Sequence, residues 1–145
     1  MSQTEDFLTK EEEQEIVQAI VKAEKNTSGE IRVHLEEHSS KDPLARAQEV
    51  FFSLNMQETK ARNGVLIYIG VANKHLAIIG DKGIHEKVGA NFWNSTKELI
   101  LFHFKTGNYK QGLVEGVLQA GEQLKHYFPY QTDDTNELPN EISKG

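Results

Sequence analysis

The chain has 145 residues, a net charge of −6 and no cysteine. This is one domain's worth of sequence, with charged and apolar fractions of 26% and 37% that belong to an ordinary globular protein. The acidic balance disfavours nucleic acid and anionic membranes, which both need a cationic face, and the missing cysteine removes disulfides, thiolate catalysis and thiolate metal sites.

Met1 to Lys10 carries Glu5 and Asp6 and lacks an apolar core, so it is not read as a signal peptide. Residues 1–7 are expected to be flexible, and the ordered domain to span 8–128. Thr9 with Glu12 three positions on forms a capping box. Ile16, Val17, Ile20, Val21 and Ala23 follow at helical spacing, which predicts a helix from about Thr9 to Lys25. Glu30 to Glu36 alternates, with Ile31, Val33 and Leu35 on one face and Arg32, His34 and Glu36 on the other: a strand with one core face and one polar face. Asp42-Pro43 supplies an N-cap followed by proline at the first helical position. The stripe Leu44, Ala47, Phe51, Leu54 carries that second helix to about Met56.

Val65 to Val71 is apolar on both faces and reads as a central strand. A short turn then leads into a third strand that ends at Gly80. One helix is expected from about Glu86 to Phe104, with Phe92 and Trp93 on its apolar side, and a last one from about Tyr109 to Tyr127. In the last helix Gly112, Gly116 and Ala120 offer a row of small residues for close packing. From residue 129 to 145 the chain reads as a flexible polar tail. No apolar run approaches the ~20 residues of a membrane span, and a soluble cytoplasmic protein is the expectation. The predicted order is helix, strand, helix, strand, strand, helix, helix. It describes an α/β fold with helices on both faces of a small mixed sheet, in which the first two strands are parallel and the third is antiparallel to the second.

That topology brings three distant stretches to one rim of the sheet: Ser28-Gly29-Glu30, Arg62-Asn63 and Gly80-Asp81-Lys82-Gly83, with His85 and Glu86 nearby. Glu30, Asp81 and Glu86 offer carboxylate oxygens and Asn63 an amide oxygen, a donor set suited to Mg²⁺ or Ca²⁺. Arg62 and Lys82 add the cations that phosphoryl transfer needs beside a metal. Solvated loop ends rich in Asp, Lys and Gly for turn chemistry give the competing account. No His-Glu-x-x-His, nucleophile elbow, P-loop or dinucleotide fingerprint is present.

The motifs Ser28-Gly29-Glu30-Ile31-Arg32-Val33, Asn63-Gly64-Val65-Leu66-Ile67, Gly80-Asp81-Lys82-Gly83-Ile84 and Gly107-Asn108-Tyr109 with Gly112-Leu113 resemble, in order and spacing, the TPM domain. This family is named for a thylakoid lumen protein, a photosystem II repair factor and a worm receptor modulator. The resemblance implies a three-layer α/β/α sandwich and a divalent-cation site in a cleft at one sheet edge. It further implies phosphatase-type activity on small phosphorylated substrates or nucleotides in some members, and roles in assembly or repair of complexes in others. On that basis Asp81, Glu86, Glu30 and Asn63 are expected to hold Mg²⁺ or Ca²⁺, with Asp81, Arg62 and Lys82 as the catalytic group. The chain departs from the common pattern at Arg62, where many relatives carry an acid, and at Ile84-His85-Glu86, where Glu86 comes one position late. The rival expectation is a non-catalytic module that binds metal, or docks a protein partner on the acidic cleft or the Arg32-His34-Glu36 face.

Overall fold

The computed structural model describes residues 6–37, 41–89, 91–130 and 136–145. His38, most of the expected flexible N-terminus and residues 131–135 of the expected tail lie outside the described residues. Helix α1, Lys10–Glu24, opens on the capping box, Thr9 Oγ1 accepting from the Glu12 amide at 3.0 Å and the Glu12 carboxylate from the Thr9 amide at 2.9 Å. Its buried side is Ile16, Ala19, Ile20 and Ala23. Strand β1 is Glu30–Glu36. Helix α2, Pro43–Ser53, starts from the Asp42 carboxylate, which accepts from the amides of Leu44 and Ala45.

Strand β2, Gly64–Gly70, is buried along its whole length. It pairs with β1 in parallel, Glu30 opposite Gly64 and Glu36 opposite Gly70. Strand β3, His75–Gly80, pairs with β2 antiparallel, Val65 opposite Gly80. Ile31, Val33, Leu35, Val65, Ile67 and Ile69 face the core closed by α1 and the C-terminal helices. Leu66, Tyr68 and Ala77 face Ala47, Val50 and Phe51 of α2. The result is the three-layer α/β/α sandwich, built on a small mixed sheet.

Two elements differ from the sequence expectation. In place of one helix from Glu86 to Phe104 there are two, α3 Lys82–Val88 and α4 Asn94–Phe104. Asp81 caps the first and so starts it four residues early, while Gly89, at φ 79, ends it. Trp93 stands at the head of α4 and is buried there. The last helix, α5 Tyr109–Tyr127, runs as expected. Its small residues admit α4: a Cβ on Gly116 would lie 2.5 Å from Ile100 Cδ1.

The second correction is the tail. Residues 136–145 run back along β1, where Ser143–Lys144 forms a fourth strand, β4, parallel to it. The sheet order is therefore β3-β2-β1-β4. Leu138 enters the α2-side core beside Met56, Phe51 and Tyr68. Polar composition does not forbid this, because ladder bonds use the backbone and a single buried leucine anchors the segment. At the other terminus Phe7 stacks on Tyr109 with ring centroids 4.6 Å apart, so the packed domain begins before residue 8. Among the described residues no helix is long and apolar enough to cross a membrane.

Candidate functional site

The three stretches do meet along one rim. The Glu30 amide donates to the Asn63 carbonyl at 3.2 Å, the Asp81 amide to Gly64 at 2.9 Å and the Gly83 amide to Arg62 at 2.8 Å. Asn63 Nδ2 reaches Ser28 Oγ at 3.3 Å. The parallel pairing of β1 and β2 and the hairpin to β3 dictate this convergence.

The rim is divided, however, and the division falls between Arg62 and Asn63. Arg62, in the left-handed region at φ 51, turns toward β3 and grips Asp81 through two bonds, Nε to Oδ2 at 2.8 Å and Nη2 to Oδ1 at 2.9 Å. Asp81 Oδ1 also accepts from the Lys82 amide at 2.7 Å. Both oxygens of this buried carboxylate thus serve a guanidinium and a helix cap. Glu86 is exposed, 3.9 Å from the Lys82 ammonium. Glu30 points elsewhere: its carboxylate accepts from the amides of Glu137 at 3.0 Å and Leu138 at 3.1 Å. Asp81, Glu86, Glu30 and Asn63 therefore do not fit as one metal shell. Among the described residues no three His, Cys, Asp or Glu side chains form a group able to hold a metal.

On the β1 side the chemistry is different. A cleft of about 230 Å³ is lined by the acids Glu24 and Glu30, by Lys25, and by Ser28, Asn136 and Asn140. Glu24 Oε2 accepts from the Ile31 amide at 2.9 Å. Burial pushes the Glu24 carboxyl up to about 8, the Ile31 amide pulls the other way, and the nearby charge of Glu30 adds to the rise. Three amide oxygens are buried without a hydrogen-bond partner among the described residues: Asn140 Oδ1, whose residue lines the cleft, Asn63 Oδ1, whose residue does not line it but bonds Ser28, and Gln57 Oε1. Asn63 is almost wholly buried, 1% exposed. A paired carboxylate set with unsatisfied amide oxygens around it is a hard-oxygen environment that suits Mg²⁺ or Ca²⁺. Of the residues that line this cleft, sequence reasoning named Glu30 as a candidate ligand and did not name Glu24 or Asn140. Glu24 lies at the end of an amphipathic helix, six residues before Glu30, and only the chain reversal at Asn26–Gly29 brings it back to β1. Asn140 belongs to the segment read as a tail.

On the β3 side the groove is larger, about 490 Å³, and mostly apolar. Arg62, Asp81, Lys82 and His85 sit at one end, and Leu44, Phe52, Ile78 and Trp93 line the rest. The Arg32-His34-Glu36 face of β1, proposed from sequence as a docking face, is largely covered by α2 and β4, and His34 and Glu36 are each 5% exposed. Glu36 accepts from Arg46 at 2.8 and 2.9 Å, from the Tyr68 hydroxyl, and from His34 Nε2 at 3.2 Å. His34 Nδ1 then accepts from the Ser143 hydroxyl at 2.9 Å, which ties β4 to the network. Burial raises the Glu36 carboxyl, but the bonds from Arg46, Tyr68 and His34 outweigh it and hold the group at about 2. The same burial keeps His34 neutral by lowering its pKa. This cluster is a structural fastening of α2, β1 and β4.

Comparison with known proteins agrees with the architecture. The chain shares 57% identity and a TM-score of 0.90 with the BA42 protein of the psychrophilic bacterium Bizionia argentinensis, solved by NMR, over 96% of each chain. It also shares the fold of the N-terminal domain of a P. gingivalis protein, at a TM-score of 0.69 and 18% identity over 84% of this chain and 79% of that one. Among curated proteins there is no match. A family model described as the TPM domain matches residues 1–123. The motifs at residues 28–33, 63–67 and 80–84 lie on that rim, and the chain belongs to the TPM domain family.

Proposed function

We propose that this TPM domain binds a divalent cation, Ca²⁺ or Mg²⁺, in the cleft between α1, β1 and the C-terminal segment, without using it for turnover. The observation that carries the reading is that Glu24 and Glu30 share a cleft with Asn140, whose Oδ1 has no partner among the described residues, while Asn63, whose Oδ1 also has none, bonds Ser28 of the same cleft. Glu24 and Glu30 would supply the charge and the amide oxygens of Asn63 and Asn140 the neutral ligands. A carboxylate offers about four acceptor sites, so amide donors and a cation can share one. Bound there, the ion supplies positive charge to a site where two acids otherwise repel. It fixes the C-terminal segment to β1, because the amides of Glu137 and Leu138 rest on Glu30.

Hydrolysis is the less well supported reading. The cations Arg62 and Lys82 lie at β3, two strands from β1 and therefore roughly 10 Å across the sheet. Arg62 is already committed to Asp81. A phosphoester bound to an ion at Glu30 would leave that pair behind. Still, Arg62 and Lys82 stand on the same rim as the acids, and weak metal-dependent phosphatase activity on nucleotides or aryl phosphates remains the second reading. It predicts phosphate release that requires metal and is lost in Asp81→Ala.

Titration of ¹⁵N-labelled protein with CaCl₂ and with MgCl₂ tests the first reading. The amides of Glu24, Ser28 to Ile31, Asn63, Glu137 and Leu138 should shift saturably, with one proton released per ion near neutral pH, since the Glu24 carboxyl must ionise. Glu24→Gln should abolish both effects. Shifts that centre instead on residues 81–86, or a response unchanged in Glu24→Gln, would place the ion elsewhere.

A further inference from the structure

The C-terminal segment is tied to β1 at two places with different chemistry. At its near end the amides of Glu137 and Leu138 rest on the Glu30 carboxylate, and Asn140 lines the cation cleft. At its far end β4 closes over His34. The Ser143 hydroxyl lies 2.9 Å from His34 Nδ1, and the Gly145 amide donates to the Leu35 carbonyl at 2.9 Å. A Cβ on Gly145 would lie 3.0 Å from His34 Nε2, so the main chain itself rests against the ring. Glu30 and His34 stand four residues apart on one strand, roughly 13 Å, and residues 136–145 span that distance.

The hydrogen bonds fix where a proton can enter. Glu36 is ionised and can only accept, so His34 Nε2 holds the proton of the bond between them, and Nδ1 presents the lone pair to which Ser143 donates. A second proton therefore goes to Nδ1, beneath β4. Facing the ring are Glu36 and Arg32 from β1, Arg46 from α2, and the Tyr68 ring from β2, stacked with centroids 6.0 Å apart. The C-terminal segment adds Glu141, whose carbonyl meets Arg32, and Lys144, whose ammonium pairs with Glu13 of α1 at 2.8 Å. Burial and the two guanidiniums oppose an imidazolium there more than Glu36 favours it, which lowers the pKa. Lifting β4 lets water reach the ring and removes most of that opposition.

We propose that residues 136–145 form a strap with a seated and a lifted state, through which the two places oppose each other: an ion in the cleft holds the strap down, and a proton on His34 lifts it. The inference rests on the cation reading above and adds its regulation. The ion favours the seated state because Asn140 belongs to the strap and the Glu137 and Leu138 amides share the Glu30 carboxylate. The proton favours the lifted state because Nδ1 then faces water. The ties between are few: a two-residue strand, one hydroxyl bond, and the apolar anchors Leu138 and Ile142. Both sites bias the same two-state element, so the coupling is reciprocal, and protonation weakens the ion by the factor by which the ion weakens protonation. Acid then releases the ion and bares the β1 edge together.

The test follows the ring-proton signal of His34 in the full chain through a pH titration, once in EDTA and once in saturating CaCl₂. The midpoint should lie lower in CaCl₂ by about half a unit to one unit, a three- to tenfold weakening of protonation. Hydrogen-exchange protection at Glu137, Leu138 and Gly145 should fall along the same curve as His34 charges. In His34→Gln, which cannot charge, that protection should stay level. Leu138→Ala loosens the strap without altering a titrating or ligating group, and should raise the His34 midpoint in EDTA while weakening CaCl₂. An ion acting on His34 by charge alone would leave that EDTA midpoint where it was, which would overturn the proposal. So would strap protection that persists after His34 has charged. A His34 midpoint indifferent to CaCl₂, with the Glu24 and Glu30 amides still responding, would sink the linkage and spare the cation reading. Silence of those amides would remove both.

Discussion

Replacing Glu24 by Gln should stabilise the domain, and more so as pH rises. The carboxyl titrates near 8 in the folded chain against a reference of 4.5. Between those values the native state holds a proton that the unfolded state has released, so wild-type stability falls with rising pH, by about 1.4 kcal/mol per unit. The loss begins above 4.5 and is complete only above about 8. Glutamine keeps the acceptor for the Ile31 amide, has the same shape and does not ionise. The variant should therefore track the wild type near pH 4.5 and exceed it by a margin that widens by roughly 2–3 kcal/mol from pH 5.5 to 7.5. Urea unfolding followed by fluorescence of Trp93, the sole tryptophan and 7% exposed, measures this directly. Taking the difference between the two proteins cancels every other titrating group, including His34. Saturating CaCl₂ at pH 8 should close the gap by stabilising the wild type alone. Parallel stability curves across pH 5.5 to 8 would refute the argument, since they would show an ordinary ionised surface carboxylate.

Three further outcomes follow from the same contacts. Gly83→Ala should cost about 2–4 kcal/mol in urea unfolding, because its Cβ would lie 2.2 Å from the Ala61 carbonyl oxygen and 2.6 Å from that of Arg62, and backbone cannot step aside. Glu36→Gln should cost roughly 3 kcal/mol at pH 7, leaving Arg46 without its carboxylate. That cost should be absent near pH 2, since the stability supplied by a carboxyl held at about 2 is present above 4.5 and disappears as pH falls through its folded value. Arg62→Glu should lower the melting temperature in EDTA by setting a second acid against buried Asp81, and CaCl₂ should restore part of the loss; a variant as stable as wild type in EDTA would show that Arg62 does not neutralise Asp81.

The parts of the fold that local chemistry decides could be read in advance. Thr9 with Glu12 and Asp42 with Pro43 mark helix starts whatever surrounds them. The alternation in Glu30–Glu36 and the unbroken apolar run after Gly64 mark two strands, one with a polar face and one apolar on both. Pairing rules then brought residues 30, 63 and 81 to a common rim. What stayed hidden depends on tertiary context. Gly89 breaks the apolar periodicity at one position only, and its positive φ is visible in the backbone alone. The C-terminal segment reads as solvated because its pairing with β1 uses main-chain groups and its apolar anchors, Leu138 and Ile142, are few and widely spaced. Glu24 looks like any charge at a helix end until the following turn buries it.

The division of the rim comes from two adjacent residues. Asn63 leads into β2 and turns its side chain to Ser28 on the β1 side. Arg62, one position earlier and left-handed, sends its guanidinium to Asp81 on the β3 side. A carboxylate 5% exposed in side chain needs a counter-charge. An acid at position 62 would leave Asp81 without one from the chain and create demand for a metal ion there. Arg62 meets that demand with a side-chain ion pair. With Asp81 already neutralised, the proposed cation falls to the cleft in which the charge of Glu30 helps raise the Glu24 carboxyl.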